Sequence, residues 1–248
     1  MTSRFAQLVA SLTLAFVLAG FGGAAVAAQD AATPAAQDSF PVKVTFVNAM
    51  TSLSAVDIYI NGTDKDQRVV EGLQYGDVSE AYDGTAPGTV VTVKQNVNFG
   101  LDRYLYQTLV PTAAGQSYVV VISDFVLIPV QVDLSKAGDD GAHTVAVHAA
   151  SEAPAVDIYA TPNGQQFSIG NVVPVVTNVR YGTSTAGGTV AAGSYDINLT
   201  QTGTDTEVLQ QDGVTIDAGQ SYVFVLIGQP GSTEQPLALV TVSQPLAS

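Results

Sequence analysis

Two stretches of this chain set an acid and a phenol two residues apart: Asp57 and Tyr59 in "AVDIY" from Ala55, and Asp157 and Tyr159 in the same five letters from Ala155. On a strand such residues share a face. Each pair could therefore present a carboxylate and an aromatic ring to a sugar or a cation. The same spacing suits a solvated strand face, or a carboxylate holding a neighbouring turn through backbone N–H groups. Duplication leans toward the second reading, since a fold determinant is kept in both copies of a repeat more readily than an active site.

His143 and His148 are the chain's only two imidazoles. Five residues apart on a strand, they point to opposite faces and cannot easily share a metal. His148 with Glu152 is thin as a zinc site, and His148 with Asp157 could do acid–base work only within hydrogen-bond reach. The alternative is a hydrogen-bonded histidine that holds the loop 149–154. The acidic turns Asn61 to Asp66, Gly138 to Gly141 and Gly203 to Glu207 offer hard oxygen ligands suited to calcium, without the closing Glu of EF-hand spacing.

Nucleophile patterns fall short. "GTSTA" around Ser184, and "GQSYV" at Ser117 and Ser221, lack the second Gly of a nucleophile elbow. Cysteine is absent, which removes disulfides and thiolate chemistry. Tyr75, Tyr82, Tyr104 and Tyr106 lie near predicted loops or strand ends, where phenols could meet a glycan or a protein. The candidate binding residues are Asp57, Tyr59, His148, Glu152, Asp157 and Tyr159. No catalytic set and no cofactor is expected, calcium being the one ion the turns could take.

The elements that must position these residues are strands. "VKVTFVN", "AVDIYIN", "TVVTVKQN" and "YVVVIS" are short and rich in β-branched or aromatic residues, and "TVAVHA", "AVDIYA", "SYDINLT", "YVFVLIG" and "LALVTVS" follow in the second half. No stretch keeps a 3.6-residue apolar period over three turns. The pentapeptide belongs to a longer match, "VNAMTSLSAVDIY" from Val47 over "VHAASEAPAVDIY" from Val147. Tyr75-Gly76 then matches Tyr181-Gly182, and "AGQSYVVVI" from Ala114 matches "AGQSYVFVL" from Ala218. Anchors that keep their order across small insertions indicate a tandem duplication. The fold expected is all-β: two tandem immunoglobulin-like antiparallel β-sandwiches, residues 41–135 and 143–248, joined by a linker at 136–142.

The run "HAASEAPAVDIY" from His148 resembles the signature of a secreted bacterial family catalogued as domain of unknown function 4397, a His-Ala-Ser-Pro-Asp-Ala-Pro-x-Val-Asp-Val-Tyr pattern. His148, Ala149, Glu152 in place of Asp, Pro154, Val156, Asp157 and Tyr159 fall on it, while Ala150 and Ser151 depart from it. The first copy has Asn48, Ser52 and Ser54 at the histidine, acidic and proline positions. The resemblance implies immunoglobulin-like surface domains and assigns no activity.

Residues 1–28 have a basic start at Arg4, an apolar run from Leu8 to Phe21 and small residues at the end, so they read as a secretory signal peptide cleaved after Ala27 or Ala28. Residues 29–40 read as a flexible lead-in. No second stretch is apolar enough to span a bilayer. The net charge of −14 disfavours nucleic acid and anionic lipid. From Lys136 onward, ten acidic residues face only Lys136 and Arg180. The expectation is an exported, non-catalytic binding or structural protein of the cell surface or extracellular space, with an extracellular protein or a glycan as partner. The alternative is a carbohydrate-binding accessory domain.

Overall fold

The computed structural model describes residues 42–53, 55–84, 88–95, 103–113, 115–135, 137 and 140–246. The expected signal peptide, the lead-in, Ser54, and Gly138 and Asp139 of one acidic turn lie outside the described residues. The first half contains β1 (Val42–Asn48), β2 (Ala55–Ile60), β3 (Arg68–Gln74), β4 (Tyr82–Gly84), β5 (Thr89–Gln95), β6 (Arg103–Val110), β7 (Ser117–Ile122) and β8 (Leu127–Val132). The second contains β9 (Gly141–His148), β10 (Val156–Pro162), β11 (Val176–Val179), β12 (Thr183–Ser184), β13 (Gly188–Ala191), β14 (Gly193–Gln201), β15 (Glu207–Ile216), β16 (Gln220–Ile227) and β17 (Ala238–Pro245). Among the described residues the one helical element is a short 3₁₀ turn, Lys65–Gln67. No helix among them is long and apolar enough to cross a membrane.

Four sheets result. β3-β2-β5-β6 and β4-β1-β7-β8 come from the first half, β11-β10-β14-β15 and β12-β9-β16-β17 from the second, with β13 also pairing β9. The strand succession is the same in both halves. Phe46, Ile58, Val93 and Ile122 fill the space between the first pair of sheets. Val156, Leu199, Val214 and Leu226 lie between the second pair.

A third core joins the halves. Val47, Val119 and Val121 of the β1-containing sheet pack with Val147, Val223 and Val225 of the β9-containing sheet. Side chains alternate along a strand, so Val120 and Ile122 serve one core while Val119 and Val121 serve the other. Every residue of β7 is buried. That accounts for the unbroken "YVVVI", since a strand covered on both faces has no polar phase. The layers thus run outer, inner, inner, outer.

The all-β, mainly antiparallel fold is as expected, with two further details. Most pairings are antiparallel, but β1 lies parallel to β7 and β9 parallel to β16. The opening strand of each half inserts between strands distant in sequence, a pairing that short-range patterns do not display. The linker is also shorter than expected. Gly141 and Ala142 pair with Ala191 and Val190 of β13, and Ala142 is buried, so they belong to β9.

Ile227 belongs to the core between the halves. Ile227→Ala is expected to cost about 2–5 kcal/mol, read as a lower urea midpoint. Residues 143–248 expressed alone, with the inner sheet uncovered, are expected to self-associate on size-exclusion chromatography.

Candidate functional site

Asp57 and Asp157 do the same job in the two halves. β2 and β3 slip register between Val56 and Ile58, and β10 and β11 slip between Val156 and Ile158. At each irregularity one residue of the neighbouring strand adopts positive φ: Gly72 at 63° and Asn178 at 56°. A bulge leaves a backbone N–H without its ladder partner. The Gly72 N–H donates to Asp57 Oδ1 at 2.7 Å, and the Asn178 N–H to Asp157 Oδ1 at 2.8 Å. Glycine and asparagine are the residues that enter this left-handed region at least cost.

The remaining partners differ. Asp57 Oδ2 meets Arg68 Nη1 at 3.3 Å, and Arg68 also pairs with Glu71 at 2.9 Å. Asp157 accepts from the Thr202 hydroxyl at 3.0 Å and the Gly203 N–H at 3.1 Å. Burial would raise the Asp157 carboxyl, but the N–H groups of Asn178 and Gly203 and the Thr202 hydroxyl outweigh it and hold the group below its ordinary value.

The tyrosines of the motif are buried too, Tyr59 at 5% exposure and Tyr159 at 6%. On the outer face of the first half, the Lys94 ammonium lies 4.2 Å from the Tyr59 ring centroid and 4.8 Å from that of Tyr104. It donates to the Thr63 carbonyl at 2.9 Å. Lys94 stands opposite Asp57 and Thr92 opposite Tyr59. In the second half those places hold Thr200 and Asn198, and Tyr159 meets Phe167 edge-on at 5.1 Å. Both polar atoms of the Asn198 amide and the Thr200 hydroxyl are buried without a hydrogen-bond partner.

His148 is fully buried at the end of β9. Its Nε2 lies 2.9 Å from the Pro154 carbonyl, which only accepts, so Nε2 carries the proton. Nδ1 reaches no partner in hydrogen-bonding geometry. Burial pushes the imidazolium down, against the raising effects of the Pro154 carbonyl and the residue's own backbone. Asn48 fills the equivalent place with different partners, donating to the Leu73 carbonyl of β3 at 2.9 Å and accepting from the Met50 N–H at 3.0 Å. His148 and Asp157 therefore turn to different partners and form no pair. His143 lies 3.1 Å from the Ser135 carbonyl and 3.8 Å from Asp133.

Exposed Glu152 receives the Gln229 amide at 3.5 Å, and the same amide donates to the Thr51 hydroxyl at 3.1 Å. Asp124, unmarked in the sequence by any motif, ties the halves together. It accepts from the Thr51 hydroxyl at 2.7 Å, the Ser52 N–H at 3.0 Å and the Ser151 hydroxyl at 3.2 Å. Burial would raise its carboxyl, but the Thr51 and Ser52 donors lower it below its ordinary value.

Of the four loop tyrosines, only Tyr104 is exposed, at 57%. The Tyr106 hydroxyl donates to the carbonyls of Ser123 and Asp124, and the Tyr75 hydroxyl is buried. In the first acidic turn, the Asn61 side chain accepts from the Val90 N–H and Gln67 bonds Asp64. The Gly203 to Glu207 turn closes through Thr204 on the Gln201 carbonyl. Among the described residues no three His, Asp or Glu gather as a metal site.

A family model described as a domain of unknown function (DUF4397) matches residues 42–159, just under half of the chain. The match runs from β1 through the second "AVDIY". No curated protein matches the chain. Among solved structures, a carbohydrate-binding module of family CBM26 from Eubacterium rectale, in complex with maltoheptaose, is 12% identical. The alignment covers 84% of this chain and 98% of that one, with a TM-score of 0.25. The Bacillus anthracis TIE protein is 10% identical over 83% of this chain and 44% of its own, with a TM-score of 0.22.

Asp157→Ala removes the acceptor of three part-buried donors and is expected to lose about 1–3 kcal/mol in urea unfolding. Because the folded carboxyl lies below its ordinary value of 3.8, its contribution is present above that pH and is lost as pH falls through the folded value. Gly72→Asn should be tolerated, as Asn178 is, whereas Gly72→Val should cost about 1–2 kcal/mol. For His148 the unfolded chain takes up the proton and the folded chain excludes it. Stability is therefore full above pH 6.5 and falls below it. His148→Asn should flatten the melting temperature between pH 6.5 and 5.

Proposed function

We propose that this is an exported, non-catalytic protein of the cell surface or extracellular space, built from two copies of one β-sandwich and acting by binding or by structural display. The observation that carries this reading is the apolar core between the inner sheets. A flexible pair of domains leaves each sheet face solvated, whereas this core locks two sandwiches into one body with fixed ends. Such a body suits presentation of surfaces at a set separation. Asp57, Asp157 and His148 are spent on internal hydrogen bonds, which supports a role for them in shape rather than turnover. The partner in this reading is an extracellular protein or a glycan.

A second reading, carbohydrate binding, draws on Tyr104. Its exposed ring, with the Lys94 ammonium 4.8 Å from the centroid, is a surface on which a sugar could stack.

Two experiments test these readings. The full chain with a C-terminal tag, expressed in a bacterial host, is expected to leave the cytoplasm and to begin at Ala28 or Gln29 by intact mass. A retained, uncleaved chain would overturn the export claim. On a glycan array, binding that disappears with Tyr104→Ala would favour the carbohydrate reading, and an array without hits would remove it.

A further inference from the structure

The two halves differ where their own cores are built. Toward its outer sheet, β1 and the loop after it carry Val42, Val44, Phe46 and Met50, all buried. One hundred residues on, the same places hold Ala142, Thr144, Ala146 and Ala150. The outer sheet shrinks as well, since buried Ile60 is matched by half-buried Ala160. Some volume returns one strand away: Val120, the neighbour of Phe46, is matched by Phe224, the neighbour of Ala146. Phe224 stacks along β16 on Tyr222, with centroids 5.8 Å apart. The space beside Ala146 stays unfilled.

The result is a cavity of about 520 Å³ between the two sheets of the second half. Ala146, Ile158, Val176, Leu199, Phe224 and Leu226 are among its walls. It opens at the sheet edge, where Val175 is 58% exposed and Gly187 and Gly188 are exposed. Thr144, Thr185 and Thr189 add hydroxyls, and no Asp, Glu, Lys or Arg lines it. His148 borders it as well, fully buried behind the wall.

We propose that this cavity is a binding site for an uncharged, largely apolar small molecule. Protein interiors close voids of this size, and wall atoms without neighbours forfeit their dispersion contacts. A ligand restores them. The volume lies in the usual range for small-molecule sites, roughly three times that of a cavity that takes up benzene. A charge would enter without a counter-charge and at high cost. A sugar would leave most of its hydroxyls unpaired, so the site selects against the glycan of the second reading.

The inference rests on the binding role proposed above and is independent of export. The probe is N-phenyl-1-naphthylamine, uncharged and apolar with a single N–H, titrated into the mature chain from Gln29 onward and followed by fluorescence. Saturable 1:1 binding is expected, displaced by 1-dodecanol but not by maltose. Ala146→Phe and Ala160→Ile, which restore the first half's side chains, should each weaken binding at least tenfold while still melting cooperatively. The proposal fails if the wild-type chain shows no saturable binding, if maltose displaces the probe, or if both folded cavity-filling variants bind as the wild type does. Any of these leaves the export result standing, just as a retained chain would leave the pocket standing.

Discussion

Burial of the inner sheets on both faces is the constraint from which the rest follows. The chain has no cysteine and, among its described residues, no helix beyond one 3₁₀ turn. Sheet packing must supply the stability that disulfides or helices supply elsewhere. Val119 and Val121 face one core while Val120 and Ile122 face another, so β7 has no surface to give to water. Polar chemistry is thereby pushed to the outer sheets, the bulges and the loops at the strand ends. Asp57, Asp157, Lys94 and Asp124 all lie there.

The repeated pentapeptide takes its meaning from the strand beside it. Asp57 and Asp157 each cap an N–H freed by a bulge, and the residue donating it, Gly72 or Asn178, has the backbone conformation that a bulge requires. Acid and bulge form one device, so neither half can discard its aspartate without leaving a part-buried donor bare. The rest of each device was free to diverge. One half added Arg68 and Lys94, the other Thr202 and Gly203.

Much of this was legible in the letters, for reasons that differ by residue. β1, β2, β5 and β7 are dense in β-branched residues because buried strands need them, and they stand out. β6 and β15, "RYLYQTLV" and "EVLQQDGVTI", do not, because edge strands leave one face in water and borrow the composition of loops. The odd spacing of His143 and His148 placed them on opposite faces. The lysine over Tyr59 was hidden, since its register with Asp57 depends on which strands pair. Phe46 against Ala146 could be read as a difference in letters. That it leaves a cavity depended on Phe224, seventy-eight residues farther on, filling only part of the gap.

The parallel pairing of β1 with β7 also governs the order of assembly. Lys43 lies beside Ser117 and Asn48 beside Ile122, so the first strand made cannot take its central place until the seventh exists. β9 and β16 impose the same wait on the second half. Closing loops of that length before any contact rewards them slows folding. A chain threaded outward from its N-terminus through a narrow channel gains from such a delay: its most adhesive strands stay unpaired with their final neighbours, and the polymer stays thin enough to pass, until most of each half has crossed.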